Sequence, residues 1–538
     1  MASTDAAAKR IRRRRRITQP LEAAVPVIAC VLFVAGALVF LAVPLPSVGR
    51  GTYISENAIQ PAQVNTYWGW NEVHEADAHA AAVEEWTSDP SRRVQDVAAI
   101  FERAGLAWQT QSYASASGRN GTNVFATVPA SKTDGAESVV IGASWLSRQG
   151  GVNVRGVSTV LAMARFLPRS SGTRARLLTP TGSSLWSKDI VLLVADDFAD
   201  GADAWASAQV GAESGSLTAL DGGVGPPWAA LWLDYPYHSF SRMEIFYEGV
   251  DGLLPNLDYV NSVRHIARWA GGCDAIPHHH RPEEASGKRQ AYVDALSGML
   301  VHARRQASGA AHGPEAVFAR YGVDSLALFA VPAEGPHGFY SIGRTTESTL
   351  RSLNNLLERF HQSFFLYSLV APDRFVSVGT YVAAPILASA ALTFLGLRGA
   401  TASSDHGAAL LFALAAHLAG GLVAAFAVPS GVVATCAATL AARALRPSLR
   451  IDPAVARLEA GVVIAVAAAL NFGRGALLAA AIGPALLAAG SRGPVRILGL
   501  ASLALAHYLV DLGAAAAPFS GLVVGPLLAQ TLGAALYK

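Results

Sequence analysis

Residues 189–203 read DIVLLVADDFADGAD: an apolar run, Ile190–Val194, feeds into two adjacent carboxylates, Asp196 and Asp197, and then into a loop. Two acids at the end of such a run stand where a metal-dependent peptidase sets a general base beside a metal ligand. Asp234 closes a second apolar run, Ala229–Asp234. The competing reading of these acids is structural, as carboxylates hydrogen-bonded at strand ends or simply solvated. His278-His279-His280 is another candidate cluster, but adjacent imidazoles do not converge on one ion without outer support. The surrounding segment, GGCDAIPHHHRPEEASGKRQ (271–290), is polar and rich in breakers, so it reads as an exposed, solvated loop. Asn120-Gly121-Thr122 is an N-glycosylation sequon, which makes Asn120 a candidate modification site in a secretory lumen.

The elements that must position these residues alternate. Asn123–Val128, Ser138–Ala143, Ile190–Ala195, Ala229–Asp234 and Ser325–Val331 read as strands. Ala76–Trp86, Pro90–Gly105, Val157–Leu167, Ala202–Ala208 and Asn256–Trp269 read as helices. This pattern predicts an α/β sandwich on a mainly parallel sheet with flanking helices. Such sheets carry their chemistry in the crevice at the carboxyl ends of the strands. Asp196, Asp197 and Asp234 all fall at such ends, which predicts one shared crevice.

The rest of the chain is lipid-soluble in character. Over 538 residues, 52% are hydrophobic and only 15% charged, and the net charge of +3 selects no acidic partner. KRIRRRRRITQP (Lys9–Pro20) precedes an apolar stretch over 21–43, long enough to span a bilayer as an uncleaved signal anchor. The basic run holds the N-terminus in the cytosol and does not read as a nucleic-acid site. Further spans are expected near 375–397, 407–428, 430–445, 455–472, 475–490, 496–514 and 518–537. With residues 44–372 luminal, Arg446, Arg450, Arg457, Arg492, Arg496 and Lys538 fall on the cytosolic side, and Arg474 is the exception. The expected organisation is a cytosolic tail (1–20), an anchor (21–43), a luminal domain (44–372) and a helical membrane domain (373–538), with about eight spans in total. Alanine and glycine richness predicts close packing of these helices. His507 and Asp511, four residues apart on one helix face, are a candidate intramembrane pair, the alternative being that Asp511 is hydrated at the luminal interface. Three cysteines make no disulfide framework, and Cys273 reads as a free thiol.

The strand order and spacing resemble the zinc aminopeptidase-like fold of the M28 peptidases. In VVIGASWLSRQGGVNVRGVSTVLAMARFL, that family carries a His-x-Asp and then a bridging Asp; here stand Ser144-Trp145-Leu146 and Val152 or Asn153. The resemblance places Asp196 and Asp197 on the family's carboxylate pair, Asp234 on its later Asp and His337 near its final His. A two-metal site is excluded by these replacements. The remaining metal reading is one ion on Asp197, Asp234 and His337, an oxygen-rich set suited to Ca2+, Mg2+ or Mn2+. Otherwise no cofactor is expected.

Two further stretches narrow the resemblance: YEGVDGLLPNLDYVN (Tyr247–Asn261), and LRSLNNLLERFHQSFFLYSL (Leu350–Leu369) leading into DRFVSVGTY. In physical terms, Gly249, Gly252 and Pro255 make a tight loop and Asn256 or Asp258 caps the next helix. Leu350, Leu353, Leu357 and Phe360 have the spacing of an amphipathic helix running toward the membrane, and Phe360, Phe364, Phe365 and Tyr367 that of an interfacial aromatic belt. With one anchor and about seven C-terminal spans, the chain resembles the GPI-anchor attachment protein family, the large polytopic subunit of the GPI transamidase of the endoplasmic reticulum. The resemblance implies a non-catalytic, multi-pass subunit with both termini cytosolic. It would bind and present the GPI glycolipid, and possibly the substrate protein, beside a cysteine-protease-like catalytic subunit and the other transamidase subunits. It implies GPI contacts in the membrane part, including a proline of the last span, matched by Pro526. Tyr53, Glu56 and Asn57 of TYISENA, just after the anchor, are candidates to meet the headgroup, the simpler reading being a polar linker; His507 and Asp511 join the GPI-binding candidates. The alternative function is a metal-dependent enzyme that forms or hydrolyses peptide bonds, with Asp196 as base. A transporter would show inverted repeats, which the sequence does not.

Overall fold

Strands form where apolar runs are bounded by glycine, proline and aspartate. In the computed structural model they are, in chain order, β1 (Arg50–Gly51), β2 (Ala107–Ala114), β3 (Asn120–Val128), β4 (Ser138–Ser144), β5 (Asp189–Ala195), β6 (Pro227–Asp234), β7 (Phe240–Phe246), β8 (Ala275–Pro277), β9 (Asp324–Pro332), β10 (Tyr367–Ala371) and β11 (Arg374–Ser377). The structure describes residues 2–61, 63–87, 89–115, 118–169, 186–210, 224–280, 287–402, 406–426, 452–491, 493–506 and 523–536. The chain divides into two units: Arg50–Ala295 with Ala311–Phe375, and Met1–Gly49 with Leu296–Ala310 and Val376–Lys538.

The first unit is α/β. Its main sheet has the order β2-β3-β5-β4-β6-β9-β7-β8. β5, β4, β6 and β9 run parallel at the centre; β3 and β7 flank them antiparallel, with β2 antiparallel to β3 and β8 parallel to β7. β4 and β5 are buried at every position, as their unbroken apolar sequences require of central parallel strands. Alternate side chains serve opposite faces: Ile190, Leu192 and Val194 join one core, and Val191, Leu193 and Ala195 join another with Trp205 and Phe318. Gly142 permits the close approach of the neighbouring strand, since a Cβ there would lie 2.6 Å from the Trp232 ring. Val154–Arg169, Asp200–Val210 and Leu257–Trp269 form helices. Pro90–Arg103 starts on Asp89, whose carboxylate accepts from the amides of Ser91 and Arg92.

Two expectations require correction. The helix containing Leu350 and Leu353 is Phe339–Asn354, and it stops before Leu357, which is 94% exposed. The Asn354 side chain instead accepts from the Ser187 amide at 2.6 Å. Of the four aromatic residues expected to form an outward belt, Phe365 is exposed and the other three pack into the unit. Phe360 stacks on Tyr259 at 5.5 Å, Phe364 packs on Phe375 at 5.2 Å, and Tyr367 donates to the Pro255 carbonyl at 3.0 Å.

Among the described residues of the second unit, three helices are long and apolar enough to cross a membrane: Glu22–Ala42, Val378–Thr401 and Pro453–Leu470. Gly407–Ala419, Phe472–Leu487 and Pro494–Leu505 are shorter apolar segments. Leu392, Ala460, Ile464, Leu478, Ile482 and Leu527 make up much of the core. Small residues bring the backbones together, as where Ser389 Oγ donates to the Gly461 carbonyl at 2.7 Å. The expected span 430–445 lies outside the described residues, as do His507 and Asp511.

Candidate functional site

Asp196 follows the last residue of β5, and the chain turns at once: Asp197 has a φ of +59°. The turn consumes the Asp196 side chain. Its Oδ2 accepts from the Thr122 amide at 3.0 Å and its Oδ1 from the Asp197 amide at 2.9 Å, while its own amide donates to Asn123 Oδ1 at 2.9 Å. Tyr113 donates to the Asp196 carbonyl at 3.2 Å. Burial first, and then the nearby charges of Asp196, Asp197 and Asp200, hold this phenol well above its ordinary pKa, so it stays a donor. Asp197 pairs with Arg119, which also approaches Asp200 at 3.5 Å.

The second acid of the crevice, Asp234, ends β6 and meets Arg148. The Arg148 amide and Nε each donate to Asp234 Oδ2 at 3.0 Å, and Nη2 donates to Glu315 Oε2 at 3.3 Å. All three side chains are at most 9% exposed. The guanidinium also lies 3.5 Å from the centre of the Phe246 ring. Burial raises the Asp234 pKa, opposed chiefly by the charge of Arg148. Arg148 thus occupies the position between two buried carboxylates that a bound cation would take.

Asn153, one of the two residues expected at the bridging position, is buried. It donates to the carbonyls of Ser144 (3.0 Å) and Leu233 (2.8 Å), and accepts from the amides of Gly156 (3.2 Å) and Tyr235 (2.7 Å). One buried amide therefore ties the ends of β4 and β6 to the first turn of Val154–Arg169. Ser144 Oγ, for its part, donates to the Phe198 carbonyl at 2.6 Å. His337 lies elsewhere, with Nδ1 3.2 Å from Ser341 Oγ, and burial lowers its pKa. Among the described residues, Asp197, Asp234 and His337 do not gather as ligand atoms within 4.8 Å of one another. These residues do not fit a metal ion. The crevice is a polar cavity of about 470 Å³ whose walls include Arg119, Arg148, Arg320, Asp197, Asp200 and Asp203.

The histidine run corrects the solvated-loop reading. Ala275–Pro277 is strand β8, and His278 and His279 that follow are 4% and 0% exposed. Their partner is Glu248 of the YEGVDGLLPNLDYVN stretch, 2% exposed, with His278 Nε2 2.8 Å and His279 Nδ1 3.7 Å from its oxygens. His280 Nε2 reaches the Leu369 carbonyl at 3.0 Å. A buried carboxylate drives this ordering, because leaving it unpaired would be costly. Phe246 joins the two clusters, since the ring beside Arg148 also stacks on His278 at 4.2 Å.

The same stretch fixes the segment that opens the α/β unit. Asn256 caps Leu257–Trp269 as expected, accepting from the Asp258 amide at 2.9 Å. Asp258 does not cap. Its Oδ2 accepts from Ser55 N (3.0 Å), Ser55 Oγ (2.8 Å) and Glu56 N (2.8 Å), and Asn261 donates to the Tyr53 carbonyl at 2.9 Å. With the backbone held this way, the side chains of Tyr53 and Asn57 face solvent, and Glu56 accepts from the Ala58 amide at 3.3 Å. Pro526 is buried in the helix Gly525–Leu536. Arg148, Glu315 and Glu248 escaped the sequence reading. Arg148 and Glu315 are 167 residues apart, so no local spacing signals their pairing.

Comparison with known proteins follows this geometry. The chain is 28% identical over 385 residues to the GPI transamidase component GAA1 of Saccharomyces cerevisiae, an alignment covering 70% of this chain and 58% of that protein. It is 29% identical over 364 residues to the gaa1 component of Schizosaccharomyces pombe, covering 64% of this chain and 59% of that one. The chain thus spans less than two thirds of the length of either relative. Similar solved structures include a glutaminyl cyclase from Fimbriiglobus ruber, with a TM-score of 0.36 and 10% identity over 55% of this chain and 99% of that one. Another is the LapA aminopeptidase of Legionella pneumophila, with a TM-score of 0.33 and 9% identity over 57% of this chain and 81% of that one. The family profile described as Gaa1-like, GPI transamidase component, matches residues 120–409, more than half of the sequence. The chain belongs to the Gaa1-like family of GPI transamidase components.

Proposed function

We propose that this chain is a non-catalytic, multi-pass subunit of a GPI transamidase in the endoplasmic reticulum membrane. It binds and presents the GPI glycolipid, and with it the substrate protein, to a cysteine-protease-like catalytic subunit. The observation that carries the reading is the Arg148–Asp234–Glu315 cluster. It commits Asp234 and Glu315 to ion pairs with one arginine, while Asp197 pairs with Arg119 and Asp196 is consumed by its own turn. Holding an amine nucleophile beside an acyl intermediate accelerates transfer through orientation and effective concentration, and needs no bond-making residue in this chain. Tyr53 and Asn57 supply exposed polar groups for a headgroup, with Glu56 between them, and Pro526 marks a second candidate contact in the helical unit. Both termini are cytosolic and the α/β unit is luminal, the arrangement favoured by the arginine run before residue 21.

The test pairs two variants in cells that depend on GPI anchoring. Asp197→Asn combined with Asp234→Asn removes the remaining acids of the metal reading, and Tyr53→Ala combined with Asn57→Ala removes the headgroup contacts. The first should leave surface anchoring intact with no stoichiometric metal in the purified complex. The second should lower anchoring while the complex still assembles. A stoichiometric ion that is lost together with activity in the first variant would overturn the proposal in favour of a metal enzyme.

A further inference from the structure

Three helix ends gather at one exposed corner of the α/β unit. Trp70 opens the helix Trp70–Trp86, Tyr340 sits in the first turn of Phe339–Asn354, and Trp269 ends Leu257–Trp269. Arg344 ties the three together. Its Nε donates to the Ala270 carbonyl at 2.7 Å and its Nη1 to the Trp68 carbonyl at 3.2 Å, while the guanidinium carbon lies 5.3 Å from the centre of the Tyr340 ring. Trp70 stacks on Tyr340, also at 5.3 Å. Trp70 and Trp269 are nevertheless 66% and 73% exposed, so most of their apolar area finds no cover among the described residues. We propose that this corner docks an acidic segment of another protein subunit, with an apolar side chain on the Trp70–Tyr340 stack and carboxylates against Arg268 and Arg344.

Charge selects this occupant. The turns that carry the rings (69–73, 264–270 and 339–344) contain the charged side chains Glu72, Arg264, Arg268 and Arg344. Glu72 is committed to its own helix start, where it accepts from the Gly69 amide at 2.9 Å. Arg268 lies 5.9 Å from the centre of the Trp269 ring, and neither it nor Arg344 meets a carboxylate among the described residues. Burial, and after it the charges of Arg264 and Arg268, lower the pKa of His265, so the local field is positive without an imidazolium. A guanidinium pairs with a carboxylate through parallel donors, and tryptophan, tyrosine and arginine concentrate the binding energy of protein interfaces. A lipid surface calls instead for one continuous apolar helix face. These rings stand at three separate helix ends. The inference rests on the reading of this chain as one subunit of an assembly, and it uses none of the headgroup candidates.

The test uses the assembled complex, purified in detergent with the full chain. Arg268→Lys keeps the charge and supplies an amine that a carbodiimide couples only to carboxylates, as an amide with no spacer. Mass spectrometry of the digested complex should find position 268 joined to an aspartate or glutamate of another transamidase subunit. Adding Trp70→Ala should cut that cross-link about tenfold, the effect of losing one central aromatic anchor. Trp269→Ala, at the more exposed of the two tryptophans, should act in the same direction while the chain melts at the wild-type temperature. Raising the salt from about 0.05 to 0.5 M should also weaken the cross-link, because the pairing is between surface charges. A corner that served a lipid or a glycan would give no such amide. An intact complex with no cross-link from position 268 to another subunit, or with one unchanged by both tryptophan substitutions, would overturn this proposal and leave the subunit reading standing. A wild-type chain that purifies without other subunits would overturn both.

Discussion

Asn153 joins the ends of neighbouring strands through four hydrogen bonds. Asn153→Ala should therefore destabilise the α/β unit by roughly 2–4 kcal/mol, since several buried backbone groups lose their partner. Limited proteolysis and thermal melting would register the loss. Arg148→Met should cost about 3–5 kcal/mol, because it leaves Asp234 and Glu315 buried with no countercharge. Adding Asp234→Asn and Glu315→Gln to that variant should recover a large part of the melting temperature. A third residue sets a pH dependence. Burial pushes the pKa of Asp324 from 3.8 up to about 6, opposed mainly by the Asn256 amide that it accepts at 2.6 Å. A raised folded-state pKa means that its contribution to stability is fully present below about 3.8 and is lost as the pH rises through about 6. Asp324→Asn keeps an acceptor for Asn256 and removes the titration. The variant's melting advantage over the wild type should accordingly grow between those two pH values.

At the scale of elements, the central strands were legible because β4, β5, β6 and β9 are unbroken apolar runs, and burial on both faces leaves them no other composition. β2 and β7 were not. β2 reads AWQTQSYA at a sheet edge, and β7 carries Arg242 and Glu244, whose charges cancel across 2.9 Å. The crevice was half legible. Strand ends located Asp196, Asp197 and Asp234, but nothing in the spacing reveals that Arg148 and Glu315 close over them. The histidine run misled for a related reason. Breakers around it suggested solvent, whereas Glu248, 30 residues earlier, draws His278 into the interior. Asp258 provides an element-scale prediction. Asp258→Ala should release three hydrogen bonds to Ser55 and Glu56. Hydrogen exchange of the 52–58 amides should accelerate, while the helix Leu257–Trp269 keeps its Asn256 cap and its protection.

For the whole molecule, orientation follows from where its charged and modifiable groups fall. Asn120 opens β3 with an exposed side chain, so a luminal α/β unit should carry an N-glycan there. Endoglycosidase treatment should shift the wild-type band and leave Asn120→Gln unmoved. The Arg148–Asp234–Glu315 cluster also has a bearing on the redesigns open to such a chain. A variant designed to load a metal in this crevice would have to lose the arginine, gain an acid at 153 and carry imidazole near Ser144. Taken singly, the first step strands two buried acids and the second loses two donated hydrogen bonds. The third, alone, sets an imidazole where Ser144 holds the Phe198 carbonyl. Each of these substitutions, made singly, therefore carries a stability cost before any ion could offset it.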